Sequence, residues 1–166
     1  MKYLAIVFLS IIMLSAKAQT TIVILLRHAE KDTTLPNAMM MKADPPLTKA
    51  GEARAIQLLT VLKAYQPDII YSTNYSRTKA TVAPLAQKFG KDVVIYNPAE
   101  LPKFAEELCF QKGKTIVVAG HSNTTPSLVN ALLKEKKYDP LPDSVYNKFW
   151  IVTIDGDKVT DKLIEY

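Results

Sequence analysis

Thr21-Ile22-Val23-Ile24-Leu25-Leu26, running straight into Arg27-His28, is the stretch on which the fold turns. Its six residues are apolar or β-branched with no polar alternation, the pattern of a strand covered on both faces. Thr115-Ile116-Val117-Val118-Ala119 repeats the pattern and runs into Gly120-His121-Ser122. Between these runs the sequence alternates. Thr48 can N-cap a helix over residues 49–65, with Ala50, Ala53, Leu58, Val61 and Leu62 available to a core, and Gln66-Pro67 ends it. A strand follows at 68–72, then a helix over about 75–89 that stops at Gly90, a suitable C′ residue. A strand at 92–96, a helix at 101–111 and, after the second buried run, a helix over about 125–136 continue the series. Residues 149–154 and 158–164 read as a hairpin across Asp155-Gly156-Asp157, which is compatible with a type I′ turn.

Strands alternating with helices predict a three-layer α/β/α sandwich with a mainly parallel sheet and an antiparallel edge. Ligands of such sheets lie beyond the carboxyl ends of the strands. Arg27-His28, Arg77 and Gly120-His121 all follow strand ends, so two imidazoles and two guanidiniums converge on one rim.

Composition narrows the classes. The 166 residues suit one domain, and 48% hydrophobic content excludes a disordered chain. One cysteine, Cys109, excludes a disulfide framework and reads as a buried or inert thiol. Five scattered glycines make neither a dinucleotide fingerprint nor a Walker loop. Residues 32–46, with three prolines and Met39-Met40-Met41, read as a long loop.

Met1-Lys2, an apolar run over residues 4–14 and Ala16-Lys17-Ala18 match a cleaved signal peptide over 1–18, leaving a domain over 19–166. The run is too short for a membrane span, and no cysteine near the cut supports a lipid anchor. The expectation is an exported chain, periplasmic or secreted, with no stable membrane anchor after cleavage. Cleavage removes two lysines and no acid, taking the formal net charge from +5 to +3. That mild excess suits a small anionic ligand and does not call for nucleic acid; Lys134, Lys136 and Lys137 read as a solvated helix end.

Arginine offers a planar fork of donors that matches phosphate oxygens and stays charged near neutrality. Neighbouring positive charge depresses an imidazole pKa, which keeps the ring neutral and nucleophilic. Phosphoryl transfer needs an in-line nucleophile and donors around the equatorial oxygens, with an acid to protonate the leaving alkoxide. No metal and no other cofactor is called for.

At these residues the chain resembles the histidine phosphatase superfamily, whose fold is phosphoglycerate mutase-like, as a small member of branch 1 type. Arg27-His28-Ala29-Glu30 resembles the family's Arg-His-Gly signature, and Pro46-Leu47-Thr48-Lys49-Ala50-Gly51 its Leu-Thr-x-x-Gly segment. The Ser72 to Thr78 stretch is similar to its Ser-x-x-x-x-Arg-Thr segment, and Gly120-His121-Ser122 to its second Gly-His. The resemblance implies that His28 is the nucleophile that becomes phosphohistidine, with Arg27, Arg77, His121 and Ser122 around the phosphate. Ala29 departs from the usual glycine, and Ala80 stands where many members carry glutamate. Ser122-Asn123 after the second histidine disfavours the branch that places its acid there. Glu100 is the nearest match for the other branch's acid, with Glu106, Glu107 and Asp44 as rivals.

The expected activity is metal-independent hydrolysis of phosphate monoesters, with a small phosphorylated substrate or a phosphopeptide as partner. The alternative is an inactive exported module that binds phosphorylated ligands in the same pocket. A mutase is less favoured, because the chain shows no long insertion to hold a released intermediate. A nucleophile elbow on Ser122 fails because no histidine follows His121. Two histidines this far apart lack helical metal-ligand spacing.

Overall fold

A computed structural model describes residues 20–34 and 44–166. The leader expected over residues 1–18 and the Met39-Met40-Met41 run lie outside these residues. The described chain runs β1 (Thr21–Arg27), α1 (Lys49–Val61), β2 (Ile69–Ser72), α2 (Ser76–Phe89), β3 (Val93–Ile95), α3 (Leu101–Phe110), β4 (Thr115–Gly120), α4 (Thr124–Leu133), β5 (Lys148–Asp155) and β6 (Lys158–Glu165). The six strands form one sheet in the order β3-β2-β4-β1-β5-β6. β3, β2, β4 and β1 pair in parallel, and β5 and β6 add antiparallel neighbours beside β1. This is the expected α/β sandwich, with two antiparallel strands at its edge.

Period-two alternation within β1 sends its apolar side chains to two cores. Val23 and Leu25 join Leu108, Leu128, Leu132 and Trp150 on one face. Ile24 and Leu26 join Leu58, Leu62, Ile70, Val82 and Leu85 on the other. Both faces are therefore covered, which is why the sequence of β1 shows no polar alternation.

Several boundaries moved. α1 ends at Val61, short of Tyr65, and its buried side is Gly51, Ala55 and Leu58, while Ala50 and Ala53 face solvent. Two alanines carry too little apolar area to set the helix's rotation against four-carbon side chains one turn further on. α4 ends at Leu133 because Lys134 turns left-handed, at φ 56°, and stops the helix before Lys136. In the hairpin Gly156 has φ 60° but Asp157 does not share it, which is the pattern of a type II′ turn and not of I′.

Candidate active site

Register builds the rim. Arg27 at the end of β1 lies opposite Gly120 at the end of β4, and Ser72 of β2 lies opposite Ala119. His28 and His121 thus leave adjacent strands side by side, with ring centroids 5.4 Å apart. The His28 backbone N–H donates to the Gly120 carbonyl at 2.9 Å, pinning the two turns together. Gly120 has to be glycine there, because a Cβ would press on the hydroxyls of Thr125, Tyr96 and Thr124.

The turn after β1 is fixed from several sides. His28 is 3% exposed, and its Nδ1 lies 2.7 Å from the Ala29 carbonyl oxygen. A carbonyl only accepts, so Nδ1 carries the proton and Nε2 keeps its lone pair. The Ala29 N–H donates to Thr81 Oγ1 at 2.9 Å, and that hydroxyl donates to the Arg77 carbonyl at 2.7 Å. One buried hydroxyl therefore joins the histidine turn to the arginine of α2. Ala29 has no positive φ, so alanine in place of the family's glycine costs the backbone nothing here. Glu30 is gripped by Arg54 through Nε and Nη2 at 2.7–2.9 Å. Its carbonyl accepts from Thr48 N at 2.9 Å, and a Cβ on Gly51 would collide with that carbonyl oxygen. Thr48 caps α1 by accepting from Gly51 N. The Leu-Thr-x-x-Gly segment is thus the seat of the turn that follows His28.

Arg27 is 3% exposed. Its Nη1 donates to the carbonyls of Pro142, Asp143 and Val145 at 2.8–3.2 Å, and its guanidinium lies 4.0 Å over the Tyr146 ring. Arg77 donates to Asp44 at 3.2 Å and stacks 4.4 Å over Tyr75. Among the described residues the Nε–H groups of both arginines are buried without an acceptor. Buried donors seldom go unpaired, and a guanidinium least of all. Two such donors beside a free imidazole nitrogen fit an anion with several oxygens.

His121 is held differently. Its Nε2 lies 3.0 Å from Thr73 Oγ1, which lies 2.8 Å from Thr78 Oγ1. Its backbone N–H donates to Thr124 Oγ1 at 3.0 Å, placing it at the amino end of α4, whose dipole adds to the positive rim. Ser122 follows at the same helix end, and its carbonyl accepts from Leu141 N at 2.8 Å, tying it to the loop that wraps Arg27.

Both imidazoles are driven neutral. Burial is the main cause for His28, with the charges of Arg77, His121 and Arg27 adding to it against the Ala29 carbonyl, and its pKa falls to about 3. Burial again leads for His121, followed by Arg77, Lys31 and Arg27, and its pKa falls to about 4. Burial pushes the Asp44 carboxyl up, but the Ser76 N–H and hydroxyl and the Arg77 charge outweigh it and hold it below the usual carboxylate range.

Arg27, His28, Arg77 and His121 thus lie together on one rim. Glu100 does not join them directly. It precedes α3 and opens on a separate cavity of about 280 Å³ with Tyr71, Tyr96, Lys103, Phe104 and Glu107. Glu106 points to solvent on α3. Two carboxylates touch site arginines, Asp143 on Arg27 and Asp44 on Arg77, and Asp44 is held ionised. Sequence reading passed over Thr73, Thr78, Tyr75 and Tyr146. Thr73 was legible, since it sits four residues before Arg77, whereas the matched Ser72 turns its hydroxyl to the Thr73 carbonyl. Tyr146 arrives through an irregular loop that carries no local signal. Cys109 is half-buried on α3, and burial pushes its thiol up. Ala80 lies on the exposed side of α2, in an apolar groove against α1.

The strand ends of a mainly parallel sheet thus deliver two neutral imidazoles and two arginine side chains to one rim of an α/β protein. Residues 23–106 match the family model of the histidine phosphatase superfamily (branch 1), and the chain belongs to that family. A relative named probable phosphoglycerate mutase GpmB, from Shigella dysenteriae, is 35% identical over 72 residues, 43% of this chain and 34% of the relative. The match thus spans about a third of that relative's length. In fold the chain is similar to a mycobacterial glucosyl-3-phosphoglycerate phosphatase (TM-score 0.64, 17% identity, 89% of this chain and 98% of that one). It is also similar to the protein histidine phosphatase SixA complexed with tungstate (TM-score 0.67, 14% identity, 88% and 96%).

Proposed function

We propose that the chain is an exported, metal-independent phosphatase that hydrolyses phosphate monoesters through a phosphohistidine on His28. The observation that carries this reading is the fixed tautomer of His28, with a neutral Nε2 beside two buried guanidinium N–H groups that have no acceptor among the described residues. Nε2 attacks phosphorus in line with the ester oxygen, the P–O bond breaks, and the leaving alkoxide takes a proton from a carboxylic acid. Water then attacks the phosphohistidine and gives its proton to the carboxylate left by the first step, the P–N bond breaks, phosphate is released, and Nε2 regains its lone pair. Arg27, Arg77 and His121, with Ser122 at the same helix end, hold the equatorial oxygens. The charge that develops there is met by fixed guanidiniums, so the proposed chemistry needs no metal.

Glu100 is our choice for the proton donor. It follows directly on Ala99, which lines the cleft above Arg77 and His121, and it makes no ion pair among the described residues. Asp44 is held ionised by Ser76 and Arg77 and serves to orient the arginine.

The test is hydrolysis of an aryl phosphate in the presence of a chelator, beside His28→Ala. Activity that survives chelation and vanishes in the variant is the expected result. Activity lost to chelation would point instead to a metal held between the histidines. Vanadate binding with no turnover would favour the alternative of an inactive phospho-ligand binder. Export is checked separately, by locating the chain in cell fractions with and without residues 1–18.

A further inference from the structure

Beside Arg77 and His121 lies an open cleft of about 380 Å³ whose chemistry bears on the part of the substrate that departs. Its floor is Arg77 and His121, and its walls are Tyr75, Pro98 and Ala99, with Asn123 and Thr124 completing the rim. Tyr75 is 38% exposed. Its ring meets His121 edge-on at 5.0 Å and 88°, and the Arg77 guanidinium lies 4.4 Å from its centroid. The ring is therefore locked beside the phosphoryl site by two cation- and ring-type contacts rather than left to swing.

The charges around this cleft are uneven. Arg77 is the one cation among the described lining residues, and Asp44 sits 3.2 Å from it and spends part of its charge. Lys31 acts on His121 through its charge but is not among the lining residues. A phosphoryl group claims Arg77. A leaving group with its own carboxylate would then meet no second cation among the described lining residues, and the Asp44 charge beside Arg77 opposes it. An uncharged planar group would lie against the Tyr75 ring and Pro98 and make its polar contacts to Asn123 and Thr124.

We infer that this cleft is a leaving-group site for uncharged, planar groups such as a phenol ring, that Tyr75 sets the preference, and that carboxylate-bearing phosphate esters are disfavoured. The inference rests on the phosphatase reading but makes a separate claim about binding.

Three non-hydrolysable phosphonates test it by calorimetry: phenylphosphonate, propylphosphonate, and carboxyethylphosphonate, which replaces the propyl methyl by a carboxylate. Phenylphosphonate should bind tightest and carboxyethylphosphonate about tenfold more weakly than the propyl compound. Tyr75→Ala should weaken phenylphosphonate about fivefold and the propyl compound less than about twofold. Tyr75 carries no side-chain cap of α2, so the helix start survives the change. Asn123→Lys should raise affinity for carboxyethylphosphonate at least about fivefold. Carboxyethylphosphonate binding as tightly as the propyl compound, or Tyr75→Ala weakening phenyl and propyl compounds equally, would overturn the inference. The two claims separate cleanly. Hydrolysis that depends on His28, with the carboxylate ligand bound tightest, would sink the cleft's preference and leave the phosphatase standing. The expected binding order without any hydrolysis would do the reverse.

Discussion

The turns after β1 and β4 each place one histidine on the same rim, at matched positions of adjacent strands, and they hold it by opposite means. His28 is fastened at Nδ1 by a backbone carbonyl, which dictates the tautomer and leaves Nε2 open. His121 is fastened at Nε2 by the Thr73 hydroxyl, which leans on Thr78. A hydroxyl both donates and accepts, so His121 can present either state of its other nitrogen as the charge on a bound phosphoryl group changes. One imidazole is locked for attack and the other is left able to adapt. The supports differ in the same sense. The first turn sits on Thr81, Thr48, Gly51 and the Glu30–Arg54 pair, while the second is joined to a hydroxyl chain and a helix end.

The largest effect should come from removing what the two turns share. Arg77→Ala takes away a buried charge that lowers both imidazole pKa values. It should cost about 3 kcal/mol of transition-state stabilisation, roughly a hundredfold in kcat, on the scale of losing a preorganised donor. An NMR titration should show both imidazole pKa values rise together; a rise in one alone would separate the turns electrostatically. Next comes Glu100→Gln. It should slow alkyl phosphates at least about tenfold more than aryl phosphates, because an alkoxide needs the proton and a phenoxide needs it far less. Equal losses on both would move the acid role elsewhere.

Thr73→Val sharpens the contrast, because it unfastens His121 and leaves the His28–Ala29 bond alone. An unpaired buried imidazole nitrogen costs about 1 kcal/mol, so kcat should fall roughly fivefold. Phosphohistidine should still form on His28. Loss of that intermediate in Thr73→Val would show that the two turns are not independent.

The last effect is on stability and not on turnover. Both histidines have folded-state pKa values below the ordinary 6.5, at about 3 and about 4. The unfolded chain therefore binds protons that the folded one refuses, and stability rises with pH across that window. The contribution is fully present above about pH 6.5 and is lost progressively as pH falls from there towards 4 and 3. Tm at pH 4.5 should lie below Tm at pH 7.5, and His28→Ala should narrow the gap. An unchanged gap would mean that His28 titrates normally.

Much of this was legible in the sequence because it is local. Buried strands announce themselves by unbroken β-branched runs, and the residue just past each strand end is fixed on the rim by sheet register. That is enough to gather Arg27, His28 and His121, and the Arg-Thr segment at the start of α2 adds Arg77. The rotation of α1 is not legible in the same way, because alanines barely weigh against Leu58 and Leu62. The partners of the site were harder, because they come from far along the chain. Arg27 meets Pro142, Asp143 and Val145, and Asp44 meets Ser76 and Arg77, through loops whose path no periodicity describes. Glu100 shows the same limit: its place in the order of motifs was readable, but its opening onto a neighbouring cavity was not.

The measurement closest to the central claim is a rapid-quench experiment with a radiophosphate-labelled aryl ester, followed by mapping of the labelled residue. An acid-labile, alkali-stable label on His28, present with chelator and missing in His28→Ala, is the predicted result. A label on another residue, or turnover in His28→Ala at the unaltered rate, would contradict it.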